Sequence, residues 1–287
     1  MDLRAFRMAS IALAGLAGTA MASAETIGAP VAGQIGFQPP VTEVARDLQN
    51  FHNYWLMPVI TIISLFVLAL LAYVVWKFND KANPVPSKTT HNTLIEVLWT
   101  VLPVLILIVI AVPSFKLLTK ELTIPAADME IKVTASQWHW SYAYPADKIG
   151  FDSFIKEQKD IDKSKGDMWL LSVDNEVVVP VNKTVVLDVT AVDVIHSFVI
   201  QSFGIRVDAV PGRLNQTWFK ADQEGVYYGQ CSKVCGKDHA FMPIVFRVVS
   251  QDKYDAWLAD AKKKFALGDS ALPVVASAAA DQQTLAR

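Results

Sequence analysis

The chain has 287 residues and a mass of 31.6 kDa, with hydrophobic residues at 52% and charged residues at only 19%. That charge content lies below the ~25% usual in soluble domains and points to membrane insertion. A net charge of −2 with only short basic runs, such as Lys262-Lys263-Lys264, argues against nucleic acid as a partner, and two cysteines exclude a disulfide framework.

Arg4 and Arg7, an apolar run over residues 8–20 and Ala22-Ser23-Ala24 form the three parts of a cleavable export signal over residues 1–24. The alternative is a short membrane anchor. Residues 25–53, with repeated Gly and Pro between 27 and 40, read as an external lead-in. Residues 54–76 carry no charge. At a rise of ~1.5 Å per residue they reach roughly 30 Å or more, so a first membrane span is expected over 54–78. Tyr54 and Trp55 at one end, and Tyr73 and Trp76 at the other, suit an aromatic belt. Pro58 falls in the first turn, where its missing N–H matters least.

A second uncharged run, 97–115, lies in a span expected over 94–119. Its internal Pro103 kinks a helix unless neighbours satisfy the freed carbonyl. The loop over 79–93 and its flank carry Lys77, Lys81 and Lys88 against Asp80, which places the loop in the cytoplasm and everything after about residue 120 outside. Glu96 stands at the cytoplasmic start of the second span. It reads either as a first-turn carboxylate favoured by the helix dipole or as a proton-collecting group at the mouth of a path through a partner subunit.

From residue 128 the pattern changes to short alternating runs, such as Glu130-Ile-Lys-Val-Thr, Thr184-Val-Val-Leu-Asp-Val, Ser197-Phe-Val-Ile and Pro243-Ile-Val-Phe-Arg-Val. Turn signals at Pro211-Gly212 and Glu224-Gly225 separate them. One β-sandwich or barrel is expected over 128–250, interrupted by a charged, strand-poor insertion between Gly150 and Gly166. Tyr254, Trp257, Leu258, Ala261 and Phe265 define an amphipathic helix over 251–265. The Ala-, Ser- and Gln-rich tail over 266–287 is expected to be poorly ordered. Residues 121–250 hold 13 basic and 17 acidic side chains. That excess could steer a basic partner, although a solvated surface is the simpler reading of the counts alone.

Chemistry concentrates in Gly229-Gln-Cys231-Ser-Lys233-Val-Cys235-Gly-Lys-Asp-His239-Ala-Phe-Met242-Pro. A Cys231–Cys235 disulfide would leave His239 and Met242 without a purpose. A structural zinc site accepts Cys, Cys and His at these spacings, yet thioether is an unusual zinc ligand. Copper fits the mixture of soft thiolate, thioether and borderline imidazole best. Two thiolates four residues apart could bridge two copper ions and share one electron in a rigid frame. Two metals need a further imidazole, for which His196, in Asp193-Val-Ile-His196-Ser-Phe, is the best candidate.

With these segments, Ile95-Glu96-Val-Leu-Trp99-Thr-Val-Leu-Pro103, Gln137-Trp138-His-Trp140-Ser-Tyr142, Val173-Asp174-Asn175 and Asp208-Ala-Val-Pro211-Gly-Arg213-Leu-Asn-Gln216, the chain resembles subunit II of the cytochrome c oxidases, the haem–copper terminal oxidases, in its bacterial form. The copper loop alone would leave nitrous oxide reductase open, but that enzyme carries its copper domain beside a large propeller. The resemblance implies a two-helix transmembrane hairpin plus a cupredoxin-like all-β sandwich. It also implies a bacterial inner-membrane location with the copper domain on the periplasmic side, and cytochrome c, subunit I with its haem, and subunit III as partners.

By the same resemblance, Cys231 and Cys235 bridge a dinuclear copper centre of the CuA type. His196 and Met242 complete one ion, and His239 with the backbone carbonyl of Lys233 completes the other. Trp138 matches the aromatic residue through which the electron arrives from cytochrome c; its plainer reading is a strand tryptophan packed in the domain. Asp174 and Asp193 match acids that help dock cytochrome c, and Glu96 matches the carboxylate at the entrance of a proton path. Two departures stand out. Lys233 occupies the position where many relatives place a Glu that binds magnesium, and Ala143 one where relatives often have Glu in the docking patch. A lysine cannot coordinate a cation, so no magnesium ligand is expected from that side chain. Rival readings are a copper-free quinol oxidase subunit, against which the retained cysteines, histidines and Met242 argue, and a membrane-tethered copper chaperone, which would not need Trp138, Glu96 or the segment over 211–216.

Overall fold

The computed structural model describes residues 28–267; the expected export signal and nearly all of the expected tail lie outside the described residues. Helix α1 (Glu43–Phe51) begins at Thr42, whose hydroxyl oxygen accepts the Ala45 N–H at 3.0 Å while its O–H donates to the Phe203 carbonyl at 2.7 Å. One side chain therefore caps the helix and pins it to the β domain. A π-helical turn (His52–Leu56) leads directly into helix α2 (Met57–Lys77). The helical stretch thus starts at Glu43, well before the uncharged run that marks the span. Residues 43–53 carry too many polar groups to signal a span, and their helix is set by burial of Val44 and Ala45 against the β domain.

Helix α3 (Thr93–Leu122) continues through Pro103 and Pro113. Both α2 and α3 are long and apolar enough to cross a membrane. At the C-terminal end of α3, Lys120 Nζ lies 2.5 Å from both Glu43 and Asp47 of α1, and Arg46 of α1 meets Asp222 of the β domain at 2.6 Å. Helix α1 is thereby tied to the membrane hairpin on one side and to the β domain on the other.

The β domain has two five-stranded sheets. In the first, β3 (Ile149–Ser153), β2 (His139–Tyr144), β1 (Met129–Ser136), β5 (Val185–Ala191) and β8 (Asn215–Phe219) lie in that order. In the second the order is β4 (Val177–Pro180), β10 (Pro243–Val249), β9 (Gly225–Cys231), β6 (His196–Ile200) and β7 (Ile205–Ala209). The pairs β1·β5 and β4·β10 are parallel, and the other neighbours run antiparallel.

The period-two alternation is what closes the sandwich. Ile131, Val133 and Ala135 of β1 face inward, as do Trp140, Tyr142 and Tyr144 of β2. They meet Phe198, Ile244 and Phe246 from the opposite sheet. Each large apolar side chain so buried contributes about 1.5–3 kcal/mol. Helix α4 (Gln251–Lys264) covers one edge through Tyr254 and Trp257, the latter 5.4 Å from the Tyr144 ring. The charged insertion begins with β3 and continues in two short 3₁₀ turns, with Lys156 paired to the half-buried Asp167 at 2.7 Å.

Gly204 is where α1 meets this domain. Its φ of +69° is in the left-handed region, and a Cβ there would come within 2.7 Å of the Ala45 Cα. Gly204→Val should weaken this junction by about 1–3 kcal/mol. Amide exchange over residues 43–51 in the detergent-solubilised chain should then accelerate roughly five- to a hundredfold. Unchanged exchange there would show that the contact does not hold the helix.

Candidate metal centre

The register of two strands assembles the cluster. Antiparallel pairing sets Phe198 of β6 opposite Cys231, the last residue of β9, so His196 at the start of β6 lies beside that thiol. The chain then leaves the sheet in a loop, stapled by Ser232 N–H donating to the Ser197 carbonyl at 3.0 Å. It returns through Cys235 and a 3₁₀ turn (His239–Phe241) to Met242, immediately before β10. Pairing of Pro243 with Gln230 brings this return beside the departure point.

The result is a compact donor set at one end of the second sheet. The two Sγ atoms are 3.9 Å apart and both cysteines are free. Cys231 Sγ lies 3.9 Å from His196 Nδ1 and 3.3 Å from the Lys233 carbonyl oxygen. Cys235 Sγ lies 3.5 Å from His239 Nδ1 and 3.6 Å from Met242 Sδ. His196, both cysteines and Met242 are buried, while His239 is half-buried. Two thiols, two imidazoles, a thioether and a carbonyl are a predominantly soft set, and their chemistry fits copper better than zinc, calcium or magnesium.

A second ring of residues holds the donors, and most of it was not evident from the sequence. Asp193 Oδ1 sits 2.9 Å from His196 Nε2 and accepts the Val194 N–H at 2.6 Å, while its Oδ2 accepts the Gln137 N–H at 2.6 Å. Gln137 Nε2 donates to the Cys235 carbonyl at 2.7 Å, and Trp140 Nε1 donates to the Met242 carbonyl at 3.1 Å. Gln137 and Trp140 are 98 and 102 residues from these partners in sequence. The motif around them was visible, but nothing in its spacing signals which distant loop it grips.

Electrostatics separates the two thiols. Burial opposes ionisation of Cys231, but hydrogen bonding to His196 and to the Ser197 and Lys233 backbone outweighs it and brings the thiol down to about 6. Burial and the neighbouring Cys231 charge push Cys235 up to about 12. Burial disfavours His196 protonation, yet Cys231 and Asp193 together raise its pKa above the usual value. Partial burial likewise opposes the Asp193 charge, and hydrogen bonds from His196, Val194 and Gln137 hold its carboxyl below the usual range.

The other residues singled out from sequence lie outside this donor set. The Trp138 indole is partly buried against the copper-loop backbone, where a Cβ added at Gly236 would come within 2.8 Å of the ring. Asp174 accepts the Phe154 and Asn175 N–H groups at 2.8 and 2.7 Å, and Phe154 stacks on His139 at 4.4 Å, the residue after Trp138. Asp193 stands in direct contact with His196, as a carboxylate orienting an imidazole does. Glu96 accepts the Asn92 N–H at 3.3 Å while Asn92 accepts the Ile95 N–H at 3.2 Å, a reciprocal cap at the start of α3. The Lys233 side chain is exposed, with only its carbonyl turned to the cluster.

Because the thiolate is the nucleophile, alkylation of the metal-free protein should favour Cys231 over Cys235 at neutral pH. Its rate should rise with pH through about 6 and then level off. Mass-spectrometric mapping of iodoacetamide adducts that finds Cys235 modified first would overturn this asymmetry.

The chain is similar to known proteins over most of its length. Residues 30–117 match the family described as cytochrome C oxidase subunit II, transmembrane domain, and residues 129–249 match cytochrome C oxidase subunit II, periplasmic domain. A probable cytochrome c oxidase subunit 2 from Rickettsia bellii is 48% identical over 242 residues, covering 84% of this chain and 89% of its own. The cytochrome c oxidase subunit 2 of Cereibacter sphaeroides is 43% identical over 267 residues, covering 86% and 88%. The crystal structure of the periplasmic domain of subunit II of cytochrome oxidase from Bradyrhizobium japonicum is 52% identical, covers 50% of this chain and 100% of that one, and has a TM-score of 0.46. With two apolar helices carrying a β-sandwich whose soft donor cluster lies within the matched domain, the chain belongs to the cytochrome c oxidase subunit II family.

Proposed function

We propose that the chain is the electron-accepting subunit of a bacterial cytochrome c oxidase, and that Cys231, Cys235, His196, Met242, His239 and the Lys233 carbonyl hold two copper ions. The observation that carries this reading is the sharing pattern of the sulfurs. In the expected arrangement one ion takes His196 and Met242, and the other takes His239 and the Lys233 carbonyl. Each thiol lies against one donor from each set: Cys231 against His196 and Lys233, Cys235 against His239 and Met242. A sulfur that bridges would need a donor of each ion beside it, and each cysteine has one of each.

The bound pair would supply one-electron transfer between cytochrome c and the haem of subunit I, where oxygen is reduced with proton translocation. The chain's own residues prepare that chemistry. Burial of His196, Met242 and both cysteines keeps water from them, and Asp193 orients His196 through Nε2, leaving Nδ1 for the metal. Gln137 and Trp140 clamp the two ends of the copper loop through the Cys235 and Met242 carbonyls, so the donors move little when charge changes. Trp138, seated on that loop, faces the docked cytochrome c, and Asp174 and Asp193 supply negative charge for a basic donor. Glu96, at the cytoplasmic end of α3, takes protons into a path in subunit I. The β domain faces the periplasm, in keeping with the lysine-rich loop between the spans on the other side.

Metal analysis of the full chain purified without its partner subunits should find two copper ions per chain, and Cys235→Ser should reduce this to one or none. A single copper in the wild-type chain would overturn the dinuclear reading. The assembled oxidase should carry no magnesium or manganese equivalent held by Lys233, because an ammonium repels a divalent cation. A full equivalent at that position in the purified complex would refute this.

A further inference from the structure

The surface that offers Trp138 to a donor is not simply acidic. Gly236 has a φ of +132°, and a Cβ at this residue would stand 2.8 Å from the indole and 3.1 Å from Gln137 Nε2. Only glycine lets the copper loop press its backbone onto the ring. The next residue is thereby delivered to the indole: Lys237 Nζ lies 5.6 Å from the Trp138 ring centroid, within cation–π range, with 78% of its side chain exposed. Asp238 lies 3.6 Å from the same ammonium and neutralises part of its charge. Asp193, which accepts the N–H of the residue before Trp138, also contacts His196 and the Val194 N–H.

We infer that Lys237 is a specificity-determining residue that selects among electron donors at Trp138. This rests on the reading of Trp138 as the docking face for cytochrome c. An ammonium over the ring repels a donor whose contact rim is uniformly lysine, and such a donor must displace it to reach the indole. A donor that places a carboxylate beside its exposed haem edge pairs with Lys237 instead. The cation therefore limits how tightly a basic cytochrome binds, which hastens its release after the electron is given up, and it favours donors of mixed charge.

The test uses the intact, copper-loaded oxidase with Lys237→Ala and Lys237→Glu. Two donors are compared: a lysine-rimmed cytochrome c, and the same cytochrome with one haem-edge lysine replaced by glutamate. Lys237→Ala should lower KM for the lysine-rimmed donor about two- to fivefold, the range of one exposed charge interaction, and Lys237→Glu should lower it further and steepen its dependence on salt. For the glutamate-bearing donor, Lys237→Glu should raise KM. An unaltered visible copper spectrum in each variant excludes damage to the centre. Equal KM values and salt slopes in wild type and Lys237→Glu would overturn the assignment while leaving the docking reading in place. A wild-type complex that oxidises neither cytochrome yet accepts electrons from a small reductant would overturn both.

Discussion

The pairing of β6 with β9 is the constraint from which the site follows. It puts Phe198 opposite Cys231, so that His196, two residues back along β6 and on the same face, reaches the thiol from within the sandwich. Strand side chains alternate, and a slip of one residue would turn His196 outward and put Ile195 or Ser197 in its place, neither of which offers an imidazole. The register is held by the core on either side. Phe198 and Phe246 pack against each other and against Trp140 and Tyr142 of the opposite sheet, so slippage would expose several aromatic rings together. The hydrophobic core is therefore also the device that sets donor distances.

Around that frame, polar groups are spent on rigidity. Asp193 joins the histidine of one strand to the turn before β2, Gln137 joins that turn to the copper loop, and Trp140 joins β2 to the loop's far end. These bonds come from both sheets, so the loop over 232–242 is braced across the sandwich rather than by its own short turns. Two thiols so close together do not ionise with equal ease. Hydrogen bonds from His196 and the backbone favour the Cys231 thiolate, whereas burial and that thiolate's charge oppose ionisation of Cys235.

Helix α1 connects this rigid domain to the membrane. Its Thr42, Val44 and Ala45 face the β domain, while Glu43 and Asp47 receive Lys120 from the C-terminal end of α3. Ion pairs exposed to water contribute little by themselves. Here they act beside a buried cap and a close backbone contact at Gly204, and together these fasten α1 to the β domain.

Much of this was legible without coordinates. The two apolar spans follow from length and absence of charge, because a bilayer imposes both. The strands at 129–136, 185–191, 196–200 and 243–249 follow from alternation, and the donor set follows from two cysteines, a histidine and a methionine in one segment. Helix α1 was not legible, because its helicity depends on burying two small residues against a partner surface over 150 residues away. The bracing by Gln137 and Trp140 and the cation over Trp138 were likewise decided only by tertiary structure. Local sequence determines which atoms can bind a metal or cross a membrane. Which distant carbonyl an amide grips, and which ring a lysine covers, depends on how the two sheets are laid against each other.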